Sequence, residues 1–223
     1  MQRRISWEGA KNVEILCFET LASTQLYLTR EIREGRLCAP VAVIARMQTG
    51  GIGSRNNRWE GSEGNFFASV ALAQEALPDD LPIASASIYF AWLMRELLAQ
   101  EDPEIWLKWP NDLYLREGKI GGVVTQRIKK TLVAGIGVNL KKKENFFDAL
   151  ETELSPMILL DMYLKRLENP PSWKSLFSKY RIEFEKSRRF GVHAGMEYKS
   201  LENARLMEDG SLMIGNERIT GNR

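Results

Sequence analysis

Hydrophobic residues along this chain fall into short runs of two different periods. Residues 13–20, "VEILCFET", 40–48, "PVAVIARMQ", and 65–73, "NFFASVALA", are brief apolar runs rich in β-branched and aromatic residues, the pattern of buried strands. "IWLKWP" (105–110), "LYLREGKIGGVVTQRI" (113–128) and "TLVAGIGVNL" (131–140) read the same way. Helical spacing predicts a long helix within 82–100, "PIASASIYFAWLMRELLAQ". A second helix follows in "STQLYLTREIREG", with Ser23 or Thr24 as N-cap and Gly35 as the stop. Residues 155–189 are helical in pattern, interrupted by "NPPS". The tail alternates like short strands, with Asp209-Gly210 as a hairpin turn.

Strands that dominate the middle, a long helix packed on them and a small all-β tail predict an α+β fold. The expected division is a catalytic-size mixed-sheet domain over residues 1–185 and a small β domain over 186–223. The balance of charge narrows the function: Lys+Arg 31 against Asp+Glu 29 leaves +2, with a pI near 8.5. That falls short of the basic signature of a DNA-binding domain, so no nucleic-acid partner is expected. Cys17 and Cys38 lack metal spacing and are expected to be reduced core thiols. The N-terminus turns polar too early for a signal peptide. No apolar stretch approaches the roughly 18 residues of a membrane span. The chain therefore reads as cytoplasmic.

Two stretches carry candidate chemistry. "QTGGIGSRNNRWEGSEGN" (48–65) places five glycines, three asparagines and two arginines between two strands. Glycines let backbone N–H groups approach an anion, arginines supply forked donors, and Trp59 offers a flat face. Taken alone, this is either an anion-cradling loop or an ordinary flexible one. It lacks the ending of a Walker loop and a helix-opening G-x-G-x-x-G. "KWPNDLYLREGKIGG" (108–122) is the other. Pro110 restricts Trp109, and Gly121 and Gly122 within a strand imply close backbone approach by a ligand or a neighbouring chain. Alone, Asp112 serves a turn as readily as a site, and Lys119 serves as a solvated cation.

Taken together, these segments resemble biotin protein ligases. The family's K-W-P-N-D-L stands at 108–113, followed by "KIGG" at 119–122. Its S-T-N appears as "STQ" at 23–25, and its Q-T-x-G-R-G-R-x-G-R-x-W as "QTGGIGSRNNRW". "GNFFASV" and "VAGIGVNL" match in place and order, so the resemblance runs from about residue 13 to 140. Ile52 and Ser54 replace two family arginines, and Asn56-Asn57 replace a glycine-arginine pair.

The resemblance implies a sheet domain like that of class II aminoacyl-tRNA synthetases, with a small SH3-like β domain after it. It implies a two-step reaction: biotin and ATP give biotinyl-adenylate and pyrophosphate, then a lysine of a biotin carboxyl carrier protein takes the biotin. That acceptor belongs to acetyl-CoA carboxylase or another biotin-dependent carboxylase. Lys119 is the implied charge-neutralising cation, with Arg55 and Mg²⁺ assisting. Asp112 is the group to orient or accept the acceptor lysine's proton. Ser23, Thr24 and Gln48 would hold biotin's ureido ring, with backbone at Gly51, and Gln25, Gly53, Asn111, Gly121 and Gly122 would be further substrate-binding positions. Trp59 would lie by the adenine and Asn139 near the ribose or phosphate. A homodimer paired through sheet edges is a further implication. The competing readings are a lipoate ligase, whose arginine-rich motif is missing, and a non-catalytic biotin- or nucleotide-binding module. A repressor is disfavoured, because only about a dozen residues precede the first predicted strand.

Overall fold

The computed structural model describes residues 2–6, 13–53, 58–59, 63–142, 148–194 and 197–221. The main sheet has eight strands: β1 (Gln2–Ser6), β2 (Glu14–Leu21), β3 (Val41–Gln48), β6 (Phe66–Ala73), β7 (Ile105–Lys108), β8 (Asp112–Leu115), β9 (Gly118–Ile128) and β10 (Thr131–Val138). They lie in the order β1-β2-β3-β6-β10-β9-β8-β7. β2 and β3 run parallel, joined by helix α1 (Thr24–Arg33), and the other pairs are antiparallel. Short strands β4 (Gly51–Ile52) and β5 (Arg58–Trp59) form a separate pair.

Each face of the sheet has its own cover. Helices α2 (Ala86–Leu98), α3 (Pro156–Glu168) and α4 (Trp173–Glu183) pack on one face, where Phe66, Leu113, Val123, Ile136 and Val138 meet Phe90, Leu159 and Tyr180. α2 is apolar nearly all round and almost wholly buried, as its unbroken apolar composition demands. Tyr163 Oη donates to Phe90 O at 3.0 Å and Tyr89 Oη to Pro171 O at 2.7 Å, tying α2 to α3 and to the residues before α4. On the opposite face α1 lays Leu28 against Leu16, Val43 and Val133. α1 begins where its N-cap requires, with Ser23 Oγ accepting from Leu26 N at 3.4 Å. It ends before Gly35, whose φ of +72° suits glycine.

The tail forms two further sheets, β11 (Gly191–Ala194) with β12 (Glu197–Ser200), and β13 (Arg205–Leu206) with β14 (Leu212–Ile214) and β15 (Glu217–Ile219). Neither is hydrogen-bonded into the main sheet, yet Val192, Leu201, Ala204 and Leu212 join the main core. The β13–β14 turn is held by two indoles: Trp109 Nε1 donates to Gly210 O and Trp173 Nε1 to Glu208 O, each at 2.9 Å. Gly210 has a φ of +80°, and a Cβ there would sit 2.5 Å from Ser85 Oγ.

Two expectations are corrected. β1 is a strand that the polar N-terminal sequence gave no sign of. It exists because the edge of β2 supplies partners for its backbone. Cys38 is exposed rather than a core thiol, because it lies in the connection between α1 and β3; Cys17 is half-buried, and both are free.

Candidate active site

On the α1 face of the sheet, glycines in two adjacent rows leave room for a cleft. One row crosses the sheet as Ser69, Gly135 and Val124, and the next as Phe67, Gly137, Gly122, Asp112 and Lys108. Residues paired across a sheet share a face, so Gly135, Gly137 and Gly122 put three positions without side chains beside one another. A Cβ on Gly135 would lie 2.6 Å from Gln25 Oε1, which shows how closely α1 approaches this floor. An open cleft lies above this floor.

At one end the polar groups form a relay. Ser69 Oγ donates to Thr24 Oγ1 at 2.9 Å, and Thr24 Oγ1 donates to Gln48 Oε1 at 3.0 Å. Thr24 N donates to the same oxygen at 2.7 Å. With Gln48 Oε1 engaged twice, the orientation of its amide is set, and the Nε2 donors are the ones left for the cleft. Gln25 Nε2 donates to Val133 O at 3.3 Å, while its buried Oε1 has no hydrogen-bond partner among the described residues.

At the other end sit the charges. Lys119 Nζ lies 2.5 Å from Asp112 Oδ1, and Lys108 Nζ 3.7 Å from Asp112 Oδ2. Asn111 fixes the turn that carries Asp112: its Nδ2 donates to Val123 O at 2.6 Å, and its own carbonyl accepts from Val123 N at 2.9 Å. Burial and the nearby Asp112 carboxylate push the Tyr114 phenol up to about 12, so it stays neutral near pH 7. Among the described residues no group of three or more His, Cys, Asp or Glu side chains is arranged to hold a metal ion.

Of the residues expected from the sequence, Ser23, Thr24, Gln25, Gln48, Gly53, Asn111, Asp112, Lys119 and Gly122 line this cleft. Gly51, Gly121 and Asn139 are not on its wall. Gly51 pairs with Trp59 in the β4–β5 ribbon. Gly121 faces the core instead, where a Cβ would meet Gly137 O at 2.5 Å and Leu113 Cδ1 at 3.3 Å. The close approach there is therefore strand against strand. Asn139 Nδ2 donates to Asp148 O at 3.3 Å, so its side chain braces the connection after β10. Arg55, with Ser54, Asn56 and Asn57, lies outside the described residues, as does the Trp59 side chain.

The lining residues that sequence reasoning passed over are Ile52, Val123, Val124, Gly135, Ile136 and Gly137. The signal was present in "AGIGV": glycines two apart on a strand leave one face bare. His193 is exposed and stacks edge-on with Tyr198, far in sequence from every cleft residue.

The cleft thus has polar anchors at one end and, at the other, Asp112 engaged by Lys119 on the wall and by Lys108 beside it. The chain belongs to the biotin/lipoate A/B protein ligase family, whose pattern matches residues 17–142. It is similar to biotin acetyl coenzyme A carboxylase synthetase from Helicobacter pylori, a structure solved with biotinylated ATP bound. The two are 38% identical with a TM-score of 0.88, over 92% of this chain and 98% of that one. The bifunctional ligase/repressor BirA of Escherichia coli is 32% identical over 125 residues, 53% of this chain and 38% of that protein. The biotin–[acetyl-CoA-carboxylase] ligase of Mycobacterium tuberculosis is 27% identical over 143 residues, 59% of this chain and 51% of that protein. The chain thus matches about half or less of the length of these curated relatives. Among the described residues, no helix is long and apolar enough to cross a membrane.

Proposed function

We propose that this protein is an ATP-dependent biotin protein ligase. One observation carries the proposal: the Ser69–Thr24–Gln48 relay and the Lys119–Asp112 pair open onto the same glycine-floored cleft. A ureido ring offers one carbonyl and two N–H groups, which Ser23, Thr24 and the Gln48 amide complement. Ile52 and Val124 supply apolar surface for the rest of the ligand, over the backbone of Val123 and Ile136, whose side chains face the core.

The first step brings two anions together. An oxygen of biotin's carboxylate bonds to the α-phosphorus of ATP, the bond from that phosphorus to the bridging oxygen breaks, and pyrophosphate leaves. Lys119 neutralises the charge that accumulates at this point. Asp112 is the only carboxylate on the described cleft wall and is already engaged by two lysines, so the residues present offer no cage for a resident metal. Mg²⁺ then arrives as part of MgATP, held chiefly by the phosphates. In the second step a carrier-domain lysine amine, deprotonated with Asp112 orienting it, attacks the carbonyl carbon, forming an amide and releasing AMP. Gly53 supplies backbone at the cleft wall.

The test mixes the protein with biotin, MgATP and a biotin carboxyl carrier domain and weighs the carrier. One biotinyl group on one lysine, with matching pyrophosphate release, is the expected result. Modification with lipoate but not biotin would assign the protein to the other branch of its family. Binding of biotin without pyrophosphate release would make it a non-catalytic module.

A further inference from the structure

We propose that Lys108 is a positioning residue for adenylation: it acts as the standing counter-ion of Asp112, which frees Lys119 to turn toward the phosphate. The proposal rests on the function given above. Lys108 and Asp112 are direct cross-strand partners on the cleft face, and Asp112 is in turn paired with Gly122 of the floor. Asp112 therefore stands between two ammonium groups, Lys119 on Oδ1 at 2.5 Å and Lys108 on Oδ2 at 3.7 Å.

The two lysines differ in what else they can do. Lys119 lines the cleft and its side chain is 31% exposed. Lys108 is off the cleft wall and only 12% exposed. Its ammonium lies 5.6 Å from the Tyr114 ring centroid and 5.3 Å from that of Phe190, both within cation–π range. Those two rings are 5.3 Å apart and both pack on Trp106, so the Lys108 ammonium sits beside a packed aromatic cluster. Phe190 comes from the segment that leads into the C-terminal sheets, which thereby supplies one ring of the cluster.

This asymmetry has a consequence for catalysis. A carboxylate that loses its partner in a partly dry site is strongly destabilised. If Lys119 were the sole counter-ion of Asp112, each turn toward the substrate would strand that charge, and the ion pair would hold Lys119 back. With Lys108 in place, Asp112 stays compensated while Lys119 moves. The aromatic cluster keeps Lys108 from following.

The experiment is a double-mutant cycle of Lys108→Met and Asp112→Asn, read as the single-turnover rate of pyrophosphate release, with biotin affinity measured alongside. Methionine keeps the aliphatic stem between the rings and removes only the charge. Lys108→Met is expected to slow adenylation about 10- to 100-fold, the size of one lost charge-assisted contact, with biotin affinity unchanged. Lys108→Arg should retain most of the rate. The double variant should be no slower than Asp112→Asn alone, since a neutral Asn needs no counter-ion. Additive losses, or an unimpaired Lys108→Met, would overturn the proposal and leave Lys108 as a brace of the hairpin. Should Lys108→Met fail to fold, Lys108→Gln takes its place in the same cycle. A wild-type protein that releases no pyrophosphate from biotin and MgATP defeats the function itself, and this is seen before any variant is compared.

Discussion

Thr24 directs both of its donors to one atom, Gln48 Oε1, the backbone N–H at 2.7 Å and the hydroxyl at 3.0 Å. Ser69, buried beneath, completes the chain by donating to the Thr24 hydroxyl. The relay joins α1, β3 and β6 and fixes which end of the Gln48 amide meets a ligand.

Gln48→Glu separates the relay from recognition. A carboxylate still accepts from both Thr24 donors, so the thermal midpoint should stay near that of the wild type. The amide donors are gone, and biotin affinity should fall by about 1–3 kcal/mol, or roughly 5- to 150-fold. Calorimetric titration with biotin checks this. Unchanged affinity would mean that Gln48 faces the relay alone.

Lys119→Ala should slow adenylate formation by about 2.7–4 kcal/mol of transition-state stabilisation, a hundredfold or more. Folding stability should barely change, because the side chain is partly exposed and Asp112 retains Lys108. Burst kinetics of pyrophosphate release, with a melting curve on the same sample, decide the matter. A normal burst would return Lys119 to the status of a surface cation.

Gly121→Ala tests whether the double glycine serves packing or binding. A Cβ at 2.5 Å from Gly137 O forces β9 and β10 apart, an overpacking that costs about 1–3 kcal/mol. A lowered denaturation midpoint is expected, together with weaker biotin binding, since Gly137 belongs to the floor. Gly122→Ala, whose Cβ would lie 3.1 Å from Asn111 O, should be milder in stability and project into the cleft. Chemical denaturation of the two variants side by side gives the order.

Acid stability should carry a signature of Glu31. Arg36 clamps its carboxylate with Nε on Oε2 at 2.6 Å and a terminal nitrogen on Oε1 at 2.8 Å, and Arg30 adds a third contact. Chiefly through the Arg36 hydrogen bonds, the Glu31 carboxyl is held down to about 2, against an ordinary value near 4.3. A group whose folded value is depressed contributes stability that is complete above its unfolded value and is lost as pH falls through the folded one. The difference in thermal midpoint between wild type and Glu31→Gln should therefore be constant above about pH 5 and shrink toward pH 2. A difference that does not change over that window would show that the clamp is not linked to protonation.

The sequence by itself determined the elements with a strong local cause. The apolar runs at β3, β6 and β10, the helix α2 and the Ser23 cap of α1 all follow from period and side-chain type, which act within a few residues. K-W-P-N-D-L and K-I-G-G were likewise legible, because a hairpin brings Asp112 and Lys119 together over seven residues. Only the tertiary structure decided the rest. β1 became a strand because β2 offers it an edge, although its own residues show no strand pattern. Gly121 and Gly122 are neighbours in sequence, but the pleat turns one to the core and the other to the cleft, a choice set by their register with β10. The relay from Ser69 through Thr24 to Gln48 joins residues 24 to 45 positions apart, and no local pattern encodes such a contact. Phe190 reaches Lys108 across 82 positions for the same reason. Contacts of that kind form only when the whole sheet has closed and its register has set which side chains share a face.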